Sequence, residues 1–304
     1  MWRPLSTNTT GKSRSMNELY ILNVGRADCI VMLLDTPQGR KCIVMDAGSC
    51  TYQGKTPLLT LRSKGICEVD LAILTHLHQD HFGGFHQLIG QIPIKKLLTP
   101  CGDLVFTKRI YPLFGDREYY REYHQIFSYL ADCGTELCFP KDYTGRTFVY
   151  GNCGLQCLFT KMSSAMESVL CAKLLCSSSL SDDEIAKLLE RYKQACNADS
   201  SIWALQQGRE VIALLGGDST DQSMQLALDR VGTFHPIVQK LSHHGLGNSY
   251  FSAEIQARLK PGTLVVSTDS VHCDETVQER VSALCKAGDS KLHYTFHGDY
   301  SLAF

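Results

Sequence analysis

Between Thr75 and Gly84 the chain reads Thr-His-Leu-His-Gln-Asp-His-Phe-Gly-Gly, which sets three imidazoles and a carboxylate within six residues directly after an apolar run. Few folds can use such a segment unless it lies at a turn where the side chains converge. The stretch from Asp70 to Thr75 is short and apolar without helical period, so it predicts a buried strand, and Gly83-Gly84 predicts a break before a helix that starts near Phe85. Side chains at i and i+2 of extended backbone point the same way, so His76 and His78 can hold one ion. Asp80 and His81 come after the bend and can hold a second.

Further along, Ile202–Leu205 and Glu210–Leu215 read as two strands joined by a turn at Gly208, and the second ends on Gly216-Gly217-Asp218. A carboxylate at the exposed end of a buried strand is well placed to bridge two cations. Pro236–Ser242 is another strand candidate and finishes in His243-His244-Gly245. One of that pair supplies a remaining ligand; His244 is taken as that residue, leaving His243 to contact substrate oxygen or a carboxylate behind the ligands. Gly262–Asp269 predicts one more strand, followed by His272 on a loop and a helix from Asp274 to Ala287.

With no substitution in HxHxDH (His76, His78, Asp80, His81), the chain resembles the metallo-β-lactamase superfamily. The order of its blocks is similar to the soluble domain of ComEC-type DNA-uptake proteins: Asn23–Cys29, Val44–Ser49, HxHxDH, an Asn197-containing hairpin ending in Gly217-Asp218, then His-His-Gly. The resemblance covers about residues 17–300. It implies an α/β fold, a four-layer αββα sandwich, with two divalent metal ions that supply a hydroxide for hydrolysis. The ions would be zinc, with manganese or iron as alternatives for a His and carboxylate donor set. The implied metal ligands are His76, His78, Asp80, His81, Asp218 and His244. Asp80 would also orient the nucleophile, and His243 or His272 would protonate the leaving group. Two departures stand out. Arg26-Ala27-Asp28-Cys29 replaces the usual Gln-Gly-Asp-Ser, and the third histidine of many first metal sites has no obvious counterpart. A first site of His76, His78 and Asp218 is therefore expected to bind more weakly than a second of Asp80, His81, Asp218 and His244.

The 304 residues suit one such domain over 16–304 with a helical insertion around 161–196, after a polar leader over 1–15 that reads as disordered. Ser181 and Glu184 form a capping-box pattern for a helix within the insertion. Tyr119 and Tyr123 share a helical face and, with Arg121, either line a pocket or pack on the core. The leader lacks an apolar signal segment, so a cytoplasmic location is expected. Fourteen cysteines without a CxxC pair, many in apolar stretches, read as buried free thiols.

A formal net charge of −1 gives no general electrostatic footprint for duplex nucleic acid. The resemblance implies a phosphodiester or phosphate ester substrate, and the charge ranks a small molecule or single-stranded nucleic acid above a duplex polymer. Two alternatives remain: a lactone, thioester or amide hydrolase of the same fold, and a non-catalytic or partner-activated regulatory protein. A homodimer is compatible with the weakly charged insertion, and no membrane or protein partner is indicated.

Overall fold

The computed structural model describes residues 16–49, 56–106, 110, 119–177, 179–247 and 251–304. The leader 1–15 lies outside them. Two seven-stranded sheets are stacked face to face. The first contains β1 (Glu18–Ile21), β2 (Cys29–Thr36), β3 (Gly39–Ala47), β4 (Leu71–Ile73), β5 (Lys96–Leu98) and β6 (Glu136–Cys138). The second contains β7 (Thr147–Tyr150), β8 (Cys153–Phe159), β9 (Ile202–Gln207), β10 (Glu210–Leu215), β11 (Val238–Lys240), β12 (Thr263–Val266) and β13 (Lys291–Tyr294). The last strand, β14 (Tyr300–Ala303), returns to pair with β1, so the first sheet runs β14-β1-β2-β3-β4-β5-β6 and the second β13-β12-β11-β10-β9-β8-β7.

In each sheet one half is antiparallel and the other parallel. In the first, β1, β2 and β3 pair antiparallel, and β3 to β6 run parallel. In the second, β7 to β10 are antiparallel and β10 to β13 parallel. Open sheets of this kind bind ligands at the carboxyl ends of their parallel strands, and the chain places its histidines and aspartates just beyond β3, β4, β10 and β11.

Strand periodicity explains the layering. Along β2, Ile30, Met32 and Leu34 point into the space between the sheets, while Cys29, Val31 and Leu33 point to the opposite face. Both sets are buried, so the strand reads as a continuous apolar run. The outer face of the first sheet is covered by α1 (Pro57–Ser63), α2 (Gln79–Phe82), α3 (Phe85–Leu88), α4 (Tyr119–Asp132), α6 (Glu167–Leu175) and α7 (Asp182–Ala198), with the single turn α5 (Pro140–Tyr143) after β6. The outer face of the second is covered by α8 (Asp221–Val231), α9 (Ala253–Leu259) and α10 (Glu275–Gly288). This is the four-layer αββα sandwich. Between the sheets Trp203 is fully buried beside Tyr143, ring centroids 5.7 Å apart, and its Nε1 donates to Ser201 Oγ at 2.9 Å.

Local signals explain several boundaries. Ser181 caps α7, accepting from Glu184 N while Glu184 Oε2 accepts from Ser181 N. Asp274 caps α10 through Val277 N. The helix expected from Phe85 starts there, as the single turn α3, and a further single turn, α2, precedes it from Gln79, the two separated at Gly83-Gly84. Gly84 is there for close approach. Its N–H donates to Gly48 O at 2.8 Å, and a Cβ would fall 1.8 Å from Ala47 O. The Asn23–Asp28 block is a loop between β1 and β2 rather than part of a strand, and it carries Asp28 into the interior. Tyr123 packs in the core, edge to face on Phe82 at 5.4 Å, with its hydroxyl donating to Cys101 O at 3.1 Å; the side chains of Tyr119 and Arg121 lie outside the described residues.

All thirteen described cysteines are free, and nine of them are buried. Burial pushes the Cys42, Cys101 and Cys157 thiols up to about 12, so they are chemically quiet. No helix among the described residues is long and apolar enough to cross a membrane.

Candidate metal centre

Asp46 organises the floor of the site. It ends β3 with φ of 53°, a left-handed conformation uncommon outside glycine, and it is fully buried. Its Oδ1 accepts Thr75 N–H at 2.9 Å; its Oδ2 accepts the Thr75 hydroxyl at 2.8 Å and faces His81 Nδ1 at 2.8 Å. An ionised carboxylate has no proton to give, so Nδ1 of His81 carries a hydrogen and Nε2 is the nitrogen that a metal would bind in exchange for any proton there. Thr75 works the same way on its neighbour. Its one hydroxyl proton goes to Asp46, so toward His76 Nδ1, 3.1 Å away, it acts as acceptor and the lone pair of His76 moves to Nε2.

His244 is fixed by a third acceptor. Its Nδ1 donates to Ser267 O at 2.9 Å, and its Nε2 lies 3.1 Å from Asp80 Oδ2 and 3.5 Å from Asp218 Oδ2. His243 and His244 have φ of 50° and 55°, followed by Gly245 at 77°, and this left-handed run turns His244 inward. His243 is held differently: its backbone N–H donates to Asp218 Oδ1 at 3.1 Å and its Nδ1 to Leu246 O at 2.9 Å.

Three groups of potential donors result, each with atoms within 4.8 Å of one another: Asp80, His81, Asp218 and His244; His76, His78 and Asp218; and Asp28, Asp46 and His81. The first two share Asp218, whose Oδ2 lies 3.8 Å from His76 Nε2 and 3.3 Å from His81 Nε2. The structure thus brings His76, His78, Asp80, His81, Asp218 and His244 together. His272 belongs to none of the three groups; it stands on an exposed loop after β12 with Nδ1 on the Asp269 carboxylate at 2.8 Å.

The electrostatics suit cation binding. Burial holds His76 well below the ordinary histidine value, with His81 and His78 adding to the effect, and burial takes His78 to about 4, so both are neutral at pH 7. Burial also opposes the charge on His81, but Asp218, Asp46 and Asp80 outweigh it and raise its pKa; His244 rises to about 9, mainly because Asp218 outweighs the same burial. Asp218 is held low despite burial by His244 and His81. His76 Nε2 and His81 Nε2 are buried without a hydrogen-bond partner. Buried polar atoms without partners are uncommon, and here they converge on two carboxylates, as they would around ions.

Sequence reading assigned no role to Asp28, Asp46, Thr75, Ser200 or Lys240. Lys240 ends β11 with no exposed surface, paired with Asp28 and donating to Gly217 O at 3.0 Å. A single lysine inside the apolar run Pro236–Leu241 was the available signal, since lysine is almost never fully buried unless paired.

A family model described as the metallo-beta-lactamase superfamily matches residues 24–100, which include Asp28, Asp46 and HxHxDH. That match covers about a quarter of the chain, and the two-sheet architecture agrees with it. Among solved structures it is similar to CmlA, a diiron β-hydroxylase from Streptomyces venezuelae, with 12% identity and a TM-score of 0.51 over 97% of this chain and 55% of that one. A variant of CmlA gives 11% identity and a TM-score of 0.53 over the same shares. The chain thus spans about half the length of CmlA. Igni18, a metallo hydrolase from Ignicoccus hospitalis, gives 13% identity and a TM-score of 0.51 over 95% of this chain and 99% of its own. At these identities the likeness is one of fold. No curated protein matches the chain in sequence.

Proposed function

We propose that this chain is a metal-dependent hydrolase acting on a phosphodiester or phosphate ester, either a small molecule or single-stranded nucleic acid. The observation that carries the reading is the pair of donor groups joined by one carboxylate, Asp218. His76, His78 and Asp218 would hold one divalent ion, and Asp80, His81, Asp218 and His244 the other, with zinc, manganese or iron all suited to the donors. When bound, two such ions polarise the attacked centre, activate water and offset charge on the leaving oxygen.

The charges favour an anionic substrate. With every imidazole neutral, as a metal ligand must be, Asp28, Asp46, Asp80 and Asp218 bring four negative charges and Lys240 one positive, a net of three negative. Two divalent ions would turn this into a single net positive charge in a largely buried pocket, which attracts a phosphate oxygen more strongly than a neutral lactone or amide. Asp80 would orient the attacking water, being the carboxylate of the two donor groups that keeps exposure, at 28% of its side chain. His243, tied through its backbone to Asp218, is the candidate for delivering a proton to the leaving oxygen, and His272 is a second candidate for that step. The order of motifs, similar to the ComEC-type branch, supports a phosphoester.

A second reading, an enzyme activated by a protein partner, draws support from the insertion, where α6 leaves Leu170 and Leu174 exposed while α7 contacts the histidine loop. The test is metal content per chain for the wild type and Asp218→Ala, followed by turnover of bis(p-nitrophenyl) phosphate and short oligonucleotides. About two ions in the wild type, one or fewer in the variant, and turnover lost with them is the expected result. A metal-free wild type overturns the reading, and full loading without turnover shifts it to the partner-activated one.

A further inference from the structure

The third donor group, Asp28 with Asp46 and His81, has the composition of a cation site, yet the structure gives it an occupant of its own. Lys240 closes on Asp28 Oδ2, donates to Gly217 O at 3.0 Å and stands 3.6 Å from Asp218 Oδ1, and both Lys240 and Asp28 have no exposed surface. Asp28 reaches this position because its N–H donates to Asp80 O at 3.2 Å and its O accepts Gly48 N–H at 2.7 Å, which pins the loop under the histidines. The ammonium therefore lies between a carboxylate that belongs to no two-ion group and one that belongs to both.

We infer that Lys240 is the fixed internal cation of the centre: it neutralises Asp28 where no ion is held, since His81 gives its Nδ1 hydrogen to Asp46 and has only Nε2 left for a metal. The pairing also holds Lys240 at 3.6 Å from Asp218 Oδ1 and keeps it from closing further. Freed from Asp28, the ammonium would need to travel little to reach the Asp218 carboxylate, where it would compete with both ions for the shared donor. Lys240 is accordingly a positioning residue, and Asp28 is its anchor rather than a metal ligand. The inference rests on the two-ion reading proposed above.

The two members of the pair predict opposite effects on metal binding, which a loss of packing alone does not. The full-length chain and the variants Asp28→Asn, Lys240→Met and Asp28→Asn/Lys240→Met are stripped with chelator, and zinc is titrated back by calorimetry, with elemental analysis of the dialysed protein. The wild type is expected to take two zinc ions. Asp28→Asn is expected to bind them at least tenfold more weakly, Lys240→Met to bind the same two more tightly because the Asp28 charge is no longer offset, and the double variant to hold two with affinity within about threefold of the wild type. Should Lys240→Met fail to fold, recovery of affinity from Asp28→Asn to the double variant carries the test. Wild-type affinity in both Asp28→Asn and the double variant overturns this inference while leaving the two-ion reading intact. A wild type that takes no zinc overturns both.

Discussion

Tyr192 Oη donates to the main-chain carbonyl of Leu77 at 2.9 Å, across 115 positions of sequence, with both residues buried. Leu77 lies between His76 and His78, so α7 holds the strand-to-turn segment that sets the angle between two candidate ligands. Tyr192→Phe keeps the packing and removes the hydroxyl that donates to Leu77 O and also meets Cys196, a loss of about 1 to 2 kcal/mol. Thermal or urea unfolding should show that decrement. Zinc titration should show weaker binding at the group containing His76 and His78, with the Asp80, His81, Asp218 and His244 group little changed. Unchanged zinc affinity would mean that α7 does not tune the site.

Gly84→Ala is expected to do more damage than any other small change in the histidine loop. The backbone there is ordinary right-handed helix, so conformation is not the obstacle; the new Cβ would sit 1.8 Å from Ala47 O, at the end of the strand that carries Asp46. Either β3 or the α2–α3 segment must move, at about 1 to 3 kcal/mol for overpacking of this kind. Since Asp46 fixes His81, metal affinity should fall along with stability. Circular dichroism melting beside zinc titration reads both, and a variant with wild-type values in each would show that the two segments can separate without cost.

How far the sequence revealed this arrangement depended on whether a residue acts through local order or through distant neighbours. His76 and His78 were legible because extended backbone aligns alternate side chains, and α7 because Ser181 and Glu184 satisfy one another across three residues. Asp218 was legible as the end of a hairpin strand. The Asp28–Lys240 pair was not, because its members are 212 positions apart and each looks alone like an irregularity in an apolar stretch. The choice between His243 and His244 was equally hidden, since it depends on two consecutive left-handed residues and on an acceptor, Ser267 O, supplied by the next strand.

Asp70 offers a pH test away from the centre. Its Oδ2 accepts Cys42 N–H at 3.0 Å and its Oδ1 meets Lys41 Nζ at 3.0 Å and Lys95 Nζ at 3.2 Å, joining β3 to the start of β4. Burial works against the charge, but the backbone N–H and the two lysines outweigh it and lower the pKa. A depressed folded-state value means stabilisation that is complete above the unfolded pKa of about 3.9 and is lost as pH falls through the folded value. Asp70→Asn should therefore cost about 1 to 2 kcal/mol at pH 7, discounted for partial exposure, and the gap from the wild type should close below about pH 4. Urea unfolding at pH 7 and pH 3 measures it; a gap that persists undiminished at pH 3 would place the effect in packing rather than charge.

The two donor groups meet only at Asp218, so their remaining members can be removed independently. His78→Ala takes one of three donors from the group of His76, His78 and Asp218 and leaves the other group complete; His244→Ala takes one of four from the second and leaves the first. With fewer donors to begin with, the three-donor group has less reserve, because a divalent transition ion is commonly held by at least three protein ligands. Elemental analysis after dialysis against zinc should therefore find about one ion per chain in His78→Ala, and between one and two in His244→Ala, with the second ion bound more weakly than in the wild type. His272→Ala, whose ring is held by Asp269 outside both groups, should keep the wild-type metal content whatever it does to turnover. Loss of both ions on removing His78 alone would show that the groups load as one cooperative unit, with occupancy of the first required for the second.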